Sequence, residues 1–307
     1  MKVPTLSTLR NAYGKFGVAA FNVFNAEQVH GVFMGTESAR LPVIIQITPA
    51  ARNYVRPEFL EAMINAAGEI YNAVNYSVHL DHGNVEHCLS AIDSGFYNSV
   101  MIDASYEEFE KNISITADIA RRAHDKGIAV EAELGVLCGV EEEKSISFEL
   151  GSYTNPAHVA EFVSRSGCDS LAVAVGTSHG AYKMSEGTGL NLDILKEIQK
   201  QLPGFPLVLH GASNVPKSEV ERINRAGGKI KSSAHGVNEI ELLRAIRLGV
   251  TKINIATDLR LIWTRVHREY FNNTPELFDP VLPGKEYIEE LKKFVEHKCQ
   301  SLMIGDL

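Results

Sequence analysis

Tyr76-Ser77-Val78-His79-Leu80-Asp81-His82-Gly83 is an apolar run that ends in an acid between two imidazoles and is stopped by glycine. A buried strand with this end puts a carboxylate and an imidazole at the rim of a sheet, where a metal or a substrate reaches both. One histidine at a strand end is more often a satisfied surface or core residue. What carries the reading is that further strands along the chain end the same way.

Working outward from that stretch, apolar runs bounded by turn residues recur at Val18–Val23, Val43–Ile47, Ser77–Leu80, Ser99–Ile102, Ile128–Glu133, Ser170–Val175, Pro206–Leu209 and Lys252–Ile255. Amphipathic patterns between and after them predict helices at Glu27–Arg40, Pro57–Ile70, Val85–Ser94, Tyr106–Lys126, Pro156–Arg165, Leu192–Gln201, Lys217–Arg225 and Glu239–Leu248. Caps support several starts, as at Asn155-Pro156 and Asn191. Near-continuous apolar strands such as Leu171–Val175 are those of a parallel sheet covered on both faces. Repeated strand-helix units over about 250 residues predict an α/β fold, a closed (β/α)8 TIM barrel. A doubly wound open sheet is the alternative, but its first strand is normally followed by a glycine-rich turn, and Phe21-Asn22-Val23-Phe24-Asn25 has no glycine. Pro283–Met303 reads as a C-terminal helical extension with Tyr287, Leu291 and Phe294 on its apolar face, of a kind that often seals a subunit contact. Gly135–Asn155 has little periodicity and is expected to be a mobile active-site loop.

Composition sets the outer bounds. The 307 residues are 45% hydrophobic and 22% charged, without a composition break, so one domain spanning residues 1–307 is expected. A net charge of -8 with dispersed basic residues excludes a nonspecific nucleic-acid binder. Cys88, Cys138, Cys168 and Cys299 have neither zinc-ribbon nor disulfide-framework spacing, and no apolar stretch is long enough to span a membrane. A cytoplasmic protein with reduced thiols is the expectation.

In a barrel the strand ends share one rim. There the sequence places Asp81-His82-Gly83, Asp103-Ala104-Ser105, Glu131-Ala132-Glu133, Ser178-His179-Gly180, His210-Gly211-Ala212-Ser213 and Asn254-Ile255-Ala256-Thr257. Three histidines from separate strands, His82, His179 and His210, are the ligand set of a catalytic zinc with an open position. His79, three residues before His82, should point to the opposite face and serve as a core or supporting group. Gly211-Ala212-Ser213 and Ala256-Thr257 offer N–H groups and hydroxyls to an anion, and Lys183 a cation, where barrels most often hold phosphate. These parts predict a zinc enzyme acting on a small phosphorylated substrate.

These motifs, in this order, resemble the class II, metal-dependent ketose-bisphosphate aldolases over nearly the whole chain. The matching stretches are His79–Gly83, Ser99–Ser105, Val130–Gly135, Gly176–Gly180, Leu207–Ser213 and Lys252–Thr257. The resemblance implies a zinc-dependent lyase, a homodimer or homotetramer, that splits a ketose bisphosphate into dihydroxyacetone phosphate and an aldehyde through a metal-stabilised enediolate. It assigns zinc to His82, His179 and His210, and second or alternate divalent-metal contacts to Asp103 and Glu133. Asp81 matches the acid/base at the substrate C4 hydroxyl, and Glu141 the glutamate that moves protons at the enediolate carbon. Gly180, Lys183, Gly211, Ser213 and Thr257 match the dihydroxyacetone-phosphate pocket with its monovalent cation (Na+ or K+). Asn254 matches a contact to the substrate's reacting end, and Arg260 the arginine of the distal phosphate.

Three departures bear on specificity. Ala256 stands where fructose-cleaving members usually carry Asp or Asn and resembles the tagatose enzymes. A missing hydrogen-bonding group of this kind changes discrimination by about 10⁴-fold. In Phe278-Asp279-Pro280-Val281, Val281 replaces a frequent Arg, which weakens the case for distal-phosphate binding, and Thr48 replaces a common Ser while keeping the hydroxyl. The alternatives are an aldolase for another dihydroxyacetone-phosphate-derived ketose, a metal-dependent phosphosugar epimerase or isomerase, and a phosphosugar-binding subunit without turnover.

Overall fold

The computed structural model describes residues 1–137, 139–141, 144–146, 152–178, 189–231 and 235–305, with 139–141 and 144–146 described as backbone. Among the described residues the chain runs α1 (Thr5–Ala12), β1 (Val18–Asn22), α2 (Ala26–Ala39), β2 (Val43–Ile47), α3 (Pro49–Val55), α4 (Pro57–Ile70), β3 (Tyr76–Gly83) and α5 (Val85–Ser94). It continues through β4 (Ser99–Ile102), α6 (Phe109–His124), β5 (Ala129–Leu134), β6 (Gly139–Glu141), β7 (Lys144–Ile146), α7 (Pro156–Ser166), β8 (Ser170–Val173) and α8 (Leu192–Gln201). Last come β9 (Leu207–Leu209), α9 (Lys217–Arg225), α10 (Glu239–Arg247), β10 (Val250–Ile255), α11 (Thr257–Asn273) and α12 (Val281–Ser301).

Eight strands close into a parallel barrel in the order β1-β10-β9-β8-β5-β4-β3-β2, as the alternation predicts. Side-chain alternation then divides each strand between two environments. Ala19, Phe21, Val43, Ile45, Val78 and Leu80 face the helices and join the large core. Val18, Ala20 and Ile44 point inward, where Leu9 and Ala12 of α1 plug the N-terminal end of the barrel. Elsewhere inside the barrel the strand residues are polar: Asn22 and Gln46 farther along β1 and β2, His79 and Asp81 on β3, Glu131 and Glu133 on β5, and Lys252 and Asn254 on β10 are all buried. The barrel is oily at one end and charged at the other.

The sequence reading missed α1, α3 and α11, and it gave no structure to the loop after β5. That loop carries the antiparallel β6–β7 hairpin, whose strands are three residues each, too short for a period of two to show. The C-terminal extension begins at Val281 and lies across α2, not on an open surface, with Tyr287, Leu291 and Val295 buried and Phe294 half-buried. Its approach depends on Gly35, where an added Cβ would sit 2.5 Å from the Lys292 carbonyl oxygen and 2.6 Å from Val295 Cβ. Among the described residues, no helix is long and apolar enough to cross a membrane.

Candidate active site

The barrel's polar end is organised by an irregularity in β3. Its pairing with β4 shifts register between Leu80 and Gly83, and His82 takes a left-handed conformation with φ 51°. Strict alternation would send Asp81 and His82 to opposite faces. The bulge lets both neighbours reach groups of the barrel mouth, and it also brings His79 and His82 into one connected network, contrary to the expected opposition.

Asp81 is 1% exposed and is surrounded by neutral amides. Asn22 Nδ2 donates to its Oδ2 at 2.8 Å, Gln46 Nε2 to the same oxygen at 3.3 Å, and Asn254 Nδ2 to Oδ1 at 3.2 Å. Gln46 Nε2 also donates to Asn22 Oδ1 at 2.9 Å, so the amides orient one another as well as the acid. Three strands thereby aim one carboxylate.

On the other side of the bulge runs a chain of imidazoles and charged groups. His82 Nδ1 lies 3.2 Å from Asp103 Oδ2, and His82 Nε2 lies 2.7 Å from His210 Nδ1. His210 Nε2 lies 2.8 Å from Glu131 Oε1, whose other oxygen accepts from Lys252 Nζ at 2.7 Å. His79 Nε2 stands 3.5 Å from that same Oε2, and His79 Nδ1 is 2.7 Å from Ser99 Oγ. Carboxylates accept only, so His210 donates through Nε2 and His82 through Nδ1. Each ring then turns its remaining nitrogen toward the other, as two ligands of one metal ion would.

The donor set fits a divalent metal. Ligand atoms of Asp81, His82 and His210 lie within 4.8 Å of one another, and so do those of His82, Asp103 and Glu133. Imidazole nitrogen with carboxylate oxygen suits zinc and its first-row neighbours. Burial shifts the protonation of the surrounding groups. His79 is pushed down to about 3, chiefly by desolvation and then by the Lys252 charge. His210 is lowered by desolvation and by His82. Burial would raise Glu131, but Lys252, His79 and His210 together outweigh it and hold the carboxyl well below its usual range. Neutral imidazoles and an ionised glutamate are the forms that metal ligation requires.

Next to this cluster, the loops after β9 and β10 come together. Ser213 Oγ accepts from the backbone N–H of Ala256 at 3.3 Å and of Thr257 at 3.1 Å, where α11 begins. Asp258 accepts from Asn214 and Val215 N–H groups at 2.9 and 2.8 Å, tying the same two loops. Gly211 has φ 61°, and a Cβ there would lie 2.5 Å from the Ser178 carbonyl oxygen. Arg260 is half-buried in the first turn of α11, and Thr48 caps α3 by accepting from Ala51 N–H at 3.2 Å. His179, Gly180 and Lys183 lie outside the described residues, as does the side chain of Glu141.

Asn22, Gln46, Glu131 and Lys252 escaped the sequence reading as site residues, though a signal was present. Glu131 precedes Glu133 by two, and Lys252 precedes Asn254 by two, so each shares its partner's face of a strand. Val281, in contrast, is exposed and apolar at the start of α12.

Comparison with known proteins agrees with this geometry. The sequence model of the family described as fructose-bisphosphate aldolase class-II matches residues 3–305. The chain is 41% identical to a fructose-bisphosphate aldolase of Giardia intestinalis over 297 residues, covering 93% of this chain and 90% of that one. It is also 41% identical to one of Thermus caldophilus over 298 residues, covering 95% and 96%. Among solved structures, the YdjI aldolase of Escherichia coli K12 superposes with a TM-score of 0.78 at 31% identity, covering 98% of this chain and 97% of that one. With a barrel of this order, a polar mouth of this composition and relatives of this closeness, the chain belongs to the class-II fructose-bisphosphate aldolase family.

Proposed function

We propose that this protein is a zinc-dependent aldolase that reversibly cleaves a ketose 1,6-bisphosphate, fructose or tagatose, into dihydroxyacetone phosphate and glyceraldehyde 3-phosphate. The observation that carries the reading is the juxtaposition of two facing imidazoles, His82 and His210, with a buried carboxylate, Asp81, held by three amides. His82 and His210, with His179 just beyond β8, hold the zinc, and Asp103 and Glu133 offer a second or alternate divalent position. When bound, zinc supplies Lewis-acid polarisation of the substrate carbonyl, worth several kcal/mol.

The remaining chemistry belongs to the chain. Asp81 takes the proton of the C4 hydroxyl as the C3–C4 bond breaks, which releases the aldehyde, and returns it during condensation. The electron pair stays on C3, where Glu141 delivers a proton to complete dihydroxyacetone phosphate. Asn254 donates to Asp81 from beside the reacting end. Gly180, Lys183, Gly211, Ser213 and Thr257 hold the dihydroxyacetone phosphate group with a monovalent cation, Na+ or K+. The start of α11 beside Ser213 supports that reading, because helix N-termini favour phosphate. Thr48 is a further substrate-binding residue. Arg260 meets the distal phosphate, and Ala256 admits the tagatose epimer by removing a side chain that would contact a hydroxyl. The protein acts as one domain in a cytoplasmic homodimer or homotetramer, a state that sedimentation equilibrium determines directly.

The deciding experiment is a coupled triose assay on fructose and tagatose 1,6-bisphosphate, with chelator and with zinc restored. Chelator-sensitive cleavage is expected, with tagatose at least as good a substrate as fructose, and Ala256→Asp should move preference toward fructose. A hundredfold fructose preference in the native enzyme overturns the role of Ala256, and no triose from either sugar overturns the substrate assignment.

A further inference from the structure

Lys252 is a charged side chain in an unusual place. It lies on β10 inside the barrel, 0% exposed, where an unpaired ammonium would carry a large desolvation cost. Its partner is Glu131, 2% exposed, at 2.7 Å. The two sit on strands that are not neighbours, β5 and β10 being separated by β8 and β9, so this ion pair crosses part of the interior. Burying such a pair is seldom the cheapest way to stabilise a fold, since apolar side chains of similar volume commonly do as well or better. Its geometry has a different consequence. Glu131 uses one oxygen for Lys252 and the other for His210 Nε2 at 2.8 Å, leaving His210 Nδ1 to face His82.

We infer that Lys252 is a positioning residue for the metal site: through Glu131 it fixes which nitrogen of His210 faces the ligand cluster, and in which direction. The inference rests on the assignment of His82 and His210 as metal ligands. Lys252 itself touches neither imidazole at hydrogen-bonding distance among the contacts described, and acts from a strand that is not a neighbour of β5. Without it the Glu131 carboxylate is free to rotate toward Ser99 and His79, whose ring already stands 3.5 Å from Oε2. His210 then loses the acceptor that selects its Nδ1 lone pair. Outer partners of this kind typically change metal affinity by about 10- to 100-fold.

The test replaces Lys252 by an uncharged side chain of similar length, Lys252→Met, and measures zinc affinity by competition with a chromophoric chelator. Melting temperature of the metal-free protein and the visible spectrum of the Co2+-substituted protein are recorded alongside. Zinc affinity is expected to fall about 10- to 100-fold, with an altered cobalt spectrum. A second variant, Lys252→Arg, keeps the balancing charge beside Glu131 but presents it on a planar guanidinium of different reach. It is expected to recover most of the melting temperature while zinc affinity stays at least fivefold weak, and it carries the test if Lys252→Met does not fold. A purely structural lysine lowers the melting temperature and leaves zinc affinity within twofold in both variants, which overturns the inference. His82→Ala separates this from failure of the underlying assignment: if His82→Ala keeps native zinc affinity, the ligand assignment is wrong, whereas if it loses zinc and Lys252→Met does not, the role of Lys252 alone is wrong.

Discussion

Asp81 and Glu131 are both carboxylates buried in the polar end of one barrel, yet they are held in opposite ways. Asp81 receives three hydrogen bonds from neutral amides, those of Asn22, Gln46 and Asn254. Glu131 is tied to a lysine and two imidazoles. Amides orient a carboxylate without cancelling its charge, which suits Asp81 to the proton transfer proposed for it. The Lys252 ammonium, helped by the hydrogen bond from His210, commits Glu131 to its ionised form, so it serves as a fixed acceptor. In the proposed mechanism the same functional group is a reagent in one setting and a scaffold in the other.

The sharpest way to break that comparison is to remove the reagent. Asp81→Ala is expected to lower kcat by about 10²- to 10⁴-fold with zinc content unchanged. A loss under tenfold, measured by triose release, would move proton transfer elsewhere. Altering the scaffold should act on metal instead: Glu131→Gln weakens zinc binding by about 10- to 100-fold in chelator competition. If Glu131→Gln lowers kcat at saturating zinc as much as Asp81→Ala does, the division of roles fails.

A smaller effect is expected from loosening the aim. Asn22→Ala deletes one amide from Asp81, at a cost of about 1–2 kcal/mol, or about 5- to 30-fold in kcat, with zinc affinity unaffected. Steady-state kinetics beside a zinc titration separates these readouts. The smallest effect concerns pH and His79. The unfolded chain protonates this imidazole near 6.5, whereas the folded protein, with His79 at about 3, does not. Between those values the unfolded state binds the extra proton, so this contribution is complete above pH 6.5 and is lost as pH falls. The expected slope is about 1.4 kcal/mol per pH unit below 6, and His79→Gln should remove it from denaturant titrations of the metal-free protein. An unchanged slope would assign the acid sensitivity to other groups.

Much of this molecule was legible before folding was considered. Apolar runs such as Val43–Ile47 are readable because strands covered on both faces must be apolar throughout, and that local requirement yields the barrel. The histidines and acids just past the strands were legible for a related reason, since polar groups at sheet ends are costly unless they are used. Helix α1 and the β6–β7 hairpin were not, because they are short and take their stability from what they touch, whereas α11 was passed over although Leu259, Ile262 and Val266 recur on one buried face. The α12 extension was legible as a helix, but its seat on α2 depends on a contact at Gly35 that no local pattern records.

The sequence by itself determined the class of chemistry, because the order and residue types of the motifs at the strand ends are those of the class-II fructose-bisphosphate aldolase family. Only the tertiary structure decided how those residues are held. The left-handed turn at His82 breaks the alternation that any sequence reading assumes. Partners such as Lys252 and Glu131, 121 residues apart, meet only when the barrel closes and brings the inner faces of distant strands within hydrogen-bonding distance.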